Sequence, residues 1–328
     1  MRDVIVCPTF EVQPEVGIEE LRAHPPVGFH FAGIGAQSGT VEIGNGVRID
    51  RLPDNETELV MNACSPRGHH FVPIRQFGQR YSLIRELDPK TSGSRSGWDE
   101  DGVLWDCLSL SRLVRDNAFS TQYAARVLDY ADDQQRIIYA LDPAARQVYR
   151  LRTNRDWLDP DEGQELGQLA ATYWTIRDEL PERVRRAMWR CEFSSWMAWA
   201  DVALPIIVSG LEALLKTERH GATRQFTTRV PLLAEYLGIA GISPQLCEDI
   251  YDGRSEWIHG AHVRLFAAGQ PVAPGSEELR EEERDILSAV ASLQDVLRAS
   301  VRRAIEDPAT RRIFESDDHI RDCWSLPS

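Results

Sequence analysis

Lysine is nearly missing from this chain: Lys90 and Lys216 are the only two in 328 residues. Acidic residues outnumber basic ones 51 to 37, for a net charge of −14. Such a balance excludes broad, non-specific adhesion to a polyanion, which needs a basic footprint. Any meeting with nucleic acid therefore requires a local patch, a partner or brief contact. The arginine bias suits bidentate phosphate contacts and is equally what GC-rich coding sequence produces. Cysteines are few and scattered, at positions 7, 64, 107, 191, 247 and 323, with no CxxC pair. That argues against a zinc ribbon or a disulfide framework and for a reducing compartment. Long hydrophobic runs are missing too. The longest, Val202 to Leu215, is interrupted by Pro205 and Glu212 and is too short to span a bilayer. The first residues, Met-Arg-Asp onward to Pro8, lack an apolar core of signal-peptide length. The expectation is a cytoplasmic protein with no membrane segment.

What is present is a globular composition, 42% hydrophobic and 27% charged, on a chain long enough for two domains. Residues 1–100 alternate short apolar and polar runs broken by Gly and Pro, as strands do, and residues 1–155 as a whole read as a mixed α/β domain of unknown function. Strands are expected at 4–6, 29–34 and 41–48. The glycines of Gly33 to Gly39 are spaced GxGxxxG and precede a strand, which fails the context of a dinucleotide loop. Cys64, His69 and His70 have no second cluster at ligand spacing, so a loop explains them better than a metal. No metal or cofactor is implied. A Ser/Gly-rich loop is expected over 90–101, a helix over 104–117, and a hairpin pairing 136–141 with 147–152.

From residue 156 to 328 the texture is helical. Asp159-Pro160-Asp161-Glu162 combines an N-cap acid, proline at the first helical position and a further acid three residues after the cap. One helix should follow to Leu180, and a long second helix should run from Glu182 to Lys216, kinked at Pro205. Its stripe of Trp189, Phe193, Trp196, Ala200 and Leu204 reads as buried core or interface rather than a base-stacking platform. Further helices are expected at 226–237, from Ser243 to a stop at Gly260, from Ser276 to Ile305, and at 311–324. Helices joined by short links make an antiparallel bundle, so the fold class is α+β.

Two elements of this half carry a resemblance. The long helix ends Ser209-Gly-Leu-Glu-Ala-Leu-Leu215, and after a basic, polar connection comes Tyr251-Asp-Gly-Arg-Ser-Glu-Trp-Ile-His-Gly260. In this order and on helices, they resemble the Apea-like branch of the HEPN superfamily over about residues 160–306. The resemblance implies a four- to five-helix bundle that dimerises. It also implies paired Arg and His residues that cut RNA without a metal, in a prokaryotic antiviral defence or toxin–antitoxin-like setting. Carried over by position, Arg254 and His259 match the R-x4-6-H motif, Ser255 follows the arginine, and Glu212 is the acid of the long-helix element. Ser255 departs from the Asn, Asp or His common after that arginine in RNA-cutting members. Ala261 stands where nucleotide-modified members carry tyrosine.

The chemistry asks for a base for the 2′-hydroxyl, an acid for the leaving 5′-oxygen and positive charge on the phosphorane. Histidine titrates near working pH, and arginine holds two phosphate oxygens. Positions five apart on a helix differ by roughly 140° around the axis and about 7.5 Å along it. Arg254 and His259 would then not meet at one phosphate unless the helix deforms, for which Gly253 and Gly260 offer opportunity, or a second chain contributes, as a homodimer cleft would. Arg219, Arg224, Arg229 and Arg264 are candidates for an RNA-binding rim. The rival reading is a catalytically inactive module that dimerises or binds a nucleotide or partner, with Arg254 and His259 structural.

Overall fold

The computed structural model describes residues 1–10, 40–64, 77–87, 98–115, 117, 124–129, 135–140, 160–197, 200–258 and 281–326. By its internal contacts the chain divides into two compact units. Met1–Ser111, Asn117–Val148 and Thr153–Ala171 form the first, and Arg112–Asp116, Tyr149–Arg152 and Thr172–Ser328 the second. A mixed α/β region thus precedes a mostly helical one. The domain boundary expected between 155 and 156 lies outside the described residues.

The first unit is built on a six-stranded sheet of β1 (Arg2–Phe10), β2 (Val41–Gly44), β3 (Val47–Asp50), β4 (Phe77–Glu86), β5 (Ala124–Asp129) and β6 (Gln135–Ala140). The order is β2-β3-β4-β1-β5-β6, and every pairing is antiparallel. The stretch expected as one strand at 41–48 is a hairpin. Asn45 and Gly46 turn it with φ of 52° and 76°, the left-handed pair that a two-residue turn requires. β6 pairs with β5, and the 147–152 partner expected for it, like the strand at 29–34, lies outside the described residues. Two helices belong to this unit's sequence region, α1 (Asp54–Cys64) and α2 (Val103–Val114). The first was not anticipated. Val60 and Cys64 of α1 close with Val4, Ile84, Ala125 and Val127 over one face of the sheet. Cys64 is therefore a core residue, its thiol donating to the Ala124 carbonyl at 3.4 Å.

Side chains alternate between sheet faces with a period of two, so neighbours of that apolar set point the other way. Asp3 stands opposite both Arg85 and Arg126 in register. Arg126 donates to both Asp3 carboxylate oxygens at 2.6 Å, with both side chains buried. The Asp99 backbone N–H also donates to Asp3, at 2.8 Å. Asp99 itself receives the Leu104 and Trp105 backbone N–H groups and so caps the start of α2.

The helical region comprises α3 (Pro160–Ile176), α4 (Glu182–Ser194), α5 (Ala200–Leu215), α6 (Ala222–Tyr236), α7 (Pro244–Ile258), α8 (Glu281–Glu306), α9 (Pro308–Ile313) and α10 (Asp317–Cys323). That makes eight α-helices among the described residues of this half. The long helix expected over 182–216 is two helices, and its break falls at Ser195 rather than at Pro205. The Ser194 and Ser195 hydroxyls donate back to the Cys191 and Glu192 carbonyls, and the Ser195 N–H turns to Glu192 and Phe193. Local back-bonding of this kind competes with the helical ladder. Pro205 is accommodated inside α5, as Pro231 is inside α6.

α5 and α8 form the centre of the second unit. Leu204, Ile207, Val208, Leu211 and Leu214 of α5 are buried, and so are Val290, Leu293, Leu297, Val301 and Ile305 of α8, as their helical spacing predicts. Each such side chain contributes about 1.5–3 kcal/mol on burial. Gly210 permits close approach at this point, since an added Cβ would lie 2.7 Å from a Leu297 methyl and 3.1 Å from the Arg190 Cβ. α4 packs on α5 and α8, and α7 packs on α5 and α6.

Candidate functional site

The residues singled out from the sequence fall in different surroundings. Arg254 and Ser255 lie in the last turns of α7, where the backbone alone is described; His259 and Arg264 fall outside the described residues. The described backbone of α7 ends at Ile258, so the angular relation of Arg254 to His259 also lies outside them. Arg219 and Arg224 are exposed, one in the connection before α6 and one in its first turn.

Arg229 is different. It was expected on a solvent-facing rim, but it is 0% exposed. Its guanidinium donates to the carbonyls of Trp324 at 3.0 Å and Leu215 at 2.7 Å, and to Thr217 Oγ1 and Gln225 Oε1 at 3.0 Å each. Leu215 ends α5 and Trp324 follows α10, so Arg229 satisfies carbonyls that helix ends leave without partners. Burial lowers its pKa from the ordinary value. An arginine so enclosed holds helices together and offers no phosphate contact.

Glu212 connects the two motif elements. The Tyr251 hydroxyl of α7 donates to Glu212 Oε1 of α5 at 2.9 Å, and the Tyr251 ring packs on Phe226 of α6. Arg254 stands three residues past Tyr251, about one helical turn along α7. The helix carrying the R-x4-H element thus lies directly against the helix carrying Leu211-Glu-Ala-Leu-Leu215.

Glu212 also lines a groove of about 630 Å³ between α4 and α5. Its other walls are Arg183, Arg186, Trp189 and Arg190 from α4, and Ser209, Ala213 and Lys216 from α5 and its end. Two sequence regularities produce this. On α4, positions 183, 186 and 190 recur at helical spacing and place three arginines on one face. On α5, Ser209, Glu212, Ala213 and Lys216 do the same along the facing ridge.

The cations of this groove differ in their commitments. Arg183 donates to the Lys216 carbonyl at 2.8 Å and pairs with Asp317 of α10. Burial lowers its pKa, and the charges of Arg186 and Arg321 lower it further. Arg186 shares the exposed Glu182 carboxylate with Arg185. Among the described residues, Arg190 and the Lys216 ammonium make no hydrogen bond or ion pair.

Trp189 is half exposed, at 50%, so of the core-or-interface expectation the core half does not hold for it. Its neighbours explain why it stays in place: Phe193 lies parallel to it at 6.5 Å between centroids, and Trp196 meets it edge-on at 6.1 Å. The buried face of α4 is instead Val184, Ala187, Met188 and Cys191. A reading of 182–216 as one amphipathic helix misses the groove's arginines, although it singles out Glu212 and Trp189. The cue available was arginine at 183, 186 and 190 flanking a tryptophan. Across the described residues, no helix is long and apolar enough to cross a membrane. No protein-family model, no curated protein and no solved structure matches this chain.

Proposed function

We propose that the helical unit is a metal-independent endoribonuclease of the HEPN type that cleaves RNA by attack of a 2′-hydroxyl on the adjacent phosphate. The observation that carries the reading is the Tyr251–Glu212 hydrogen bond, which joins the two motif helices at the wall of a cationic groove. In this reading His259 moves protons, and Arg254 holds charge on the phosphorane as it develops. Glu212 and Ser255 orient them. One histidine per chain serves as base or acid but not readily both, so a two-fold dimer supplies the second set. Arg219, Arg224 and Arg264 remain candidates for steering the RNA. Defence or toxin-like use follows from the resemblance alone.

The test is RNA cleavage in EDTA by the native protein and by His259→Ala. Ends carrying cyclic phosphate, made by the native protein and lost in the variant, support the enzyme. Equal residual activity in both defeats it and leaves the bundle as a dimerisation or binding module. Sedimentation of the full chain tests the dimer, since a monomer at concentrations where cleavage is seen would remove the two-chain site.

A further inference from the structure

We propose that His220 is a second proton-transfer residue of the cleavage site, held on a fixed turn at the end of the bundle where α7 carries Arg254. The inference rests on the endoribonuclease reading, and it supplies from within one chain the group that the two-chain site takes from a partner. Its evidence begins with the register of three helices. The Tyr251 ring of α7 lies 5.3 Å from the Phe226 ring of α6, and the Tyr251 hydroxyl reaches Glu212 of α5 at 2.9 Å. α6 and α7 pack together and are joined by the connection 237–243, so they run antiparallel. Four residues from the Phe226–Tyr251 pair, in opposite directions, Val230 and Cys247 are both fully buried, as that register requires. One turn toward the start of α6 and one turn toward the end of α7 then bring residue 222 about level with residue 255. The connection 216–221, which joins α5 to α6, therefore closes the same end of the bundle as the last turn of α7. His259 follows Ile258, the last residue of α7, directly in the chain.

His220 is exposed, but the backbone beneath it is fixed. Gln225 of α6, itself 2% exposed, accepts the Thr217 and Glu218 N–H groups at 2.9 and 3.1 Å. Its amide nitrogen donates to the Glu218 and His220 carbonyls at 3.2 and 2.9 Å. Arg229 donates to Thr217 Oγ1, and Arg321 of α10 to the Thr217 carbonyl. Gly221 turns the chain into α6 with a φ of 69°. A side chain on so constrained a turn loses little freedom on meeting a substrate, as a positioned proton-transfer group requires. The helical unit has one other histidine among the described residues, His319, and its ring is held against the Arg312 carbonyl at 2.8 Å. The His220 ring makes no hydrogen bond or ion pair among the described residues. The charged groups around it are Lys216, Glu218 and Arg219 on the connection, Arg224 in the first turn of α6 and Arg321 from α10, while α7 carries Asp252, Arg254 and Glu256. In cleavage, one imidazole takes the proton of the 2′-hydroxyl as the O2′–P bond forms. The other enters as imidazolium and gives its proton to O5′ as the P–O5′ bond breaks, leaving a cyclic phosphate and a 5′-hydroxyl. His220 and His259 are that pair, and each chain carries both.

The experiment is cleavage of a labelled single-stranded RNA of mixed sequence by the full chain in EDTA, measured across pH. The native protein is compared with His220→Ala, His259→Ala and His319→Ala. His220→Ala is expected to lower kcat about 10²–10⁴-fold with KM unchanged, and to lose one limb of the bell-shaped pH profile. Imidazole added to the solution should restore part of the lost rate, because it can carry the missing proton. His319→Ala is the control and should cleave like the parent. His220 is exposed, so its replacement should leave the fold intact, which thermal melting of the variant checks. A rise in KM alone overturns the proposal, since it marks an RNA contact without proton transfer. So does a fall in kcat that keeps the pH profile and is not rescued by imidazole, which marks a role in holding the turn. The two readings separate. His220→Ala that cleaves like the parent, where His259→Ala does not, defeats His220 alone. A native chain that makes no cyclic-phosphate ends defeats the endoribonuclease, and His220 with it.

Discussion

Two buried arginines, Arg126 in the sheet unit and Arg229 in the helical unit, are satisfied by opposite means. In the sheet unit, Arg126 is paired with a carboxylate, Asp3, that stands directly across the strands at 2.6 Å. In the helical unit, Arg229 is fully buried with no carboxylate among its hydrogen-bond acceptors, which are two helix-end carbonyls, a hydroxyl and an amide. A strand offers its cross-strand neighbour as a fixed partner, so a charge can be matched by a charge. A helix end offers carbonyls with no intrahelical donor and a partial negative charge, so a charge can be matched by dipoles. Arg190 and Lys216, which have neither kind of partner among the described residues, line the groove between α4 and α5.

The comparison breaks most sharply at Asp3. Asp3→Asn removes the carboxylate that pairs with buried Arg126 and is expected to cost about 3–5 kcal/mol. Denaturant unfolding of the full chain, with hydrogen exchange to assign the loss to the sheet unit, checks this. Next is Arg229→Met, which keeps volume but strips the Leu215 and Trp324 carbonyls of their donor, at about 2–3 kcal/mol. Here exchange protection should fall in α5 and α10 rather than in the sheet.

Asp99 sharpens the comparison through pH. Burial pushes its carboxyl up to about 6 from an ordinary 3.8, against the opposing pull of the Leu104 and Trp105 N–H groups and Arg85. Asp101 and Asp3 are the acids nearby, and Asp3 contacts it through the backbone. Because the folded value is raised, the stabilising contribution is complete below about 3.8 and is lost as pH rises through about 6. The sheet unit should therefore lose roughly 2 kcal/mol between pH 4 and pH 7 from this group. Asp99→Asn, which retains an acceptor oxygen and suits the positive φ of 46°, should flatten that dependence. The smallest effect is expected at Glu182→Gln. Its carboxylate is fully exposed in spite of pairing with Arg185 and Arg186, so the melting temperature should not move measurably.

Parts of this molecule were readable from sequence because one-dimensional spacing encodes them. The stripe of α8 from Val290 to Ile305 is one, with its stop at Asp307-Pro308, where the Asp307 carboxylate accepts from Ala309 and Thr310 as an N-cap does. The Asn45-Gly46 turn was equally readable, and reading 41–48 as one strand passed over it. The break at Ser195 was not readable with the same ease. Proline carries a known penalty, whereas serine breaks a helix only if its hydroxyl turns back to the ladder. Arg229 could not be placed from sequence either. Its acceptors are 4, 12, 14 and 95 residues away, and an arginine on a helix is normally a surface residue.

Taken alone, the sequence determined the α+β order of the chain and the helical register of its second half. It also set the order of Leu211-Glu-Ala-Leu-Leu215 and Tyr251–Gly260. Periodicity and capping are local, and they act between residues a turn apart. Tertiary structure alone decided that Tyr251 reaches Glu212, that Arg229 is sealed inside, and that Trp189 stays half open beside Arg190 and Lys216. Those outcomes depend on which helix faces which, and that is settled by burying the apolar stripes of α5 and α8. The polar residues on the remaining faces are left to find partners where the packing puts them.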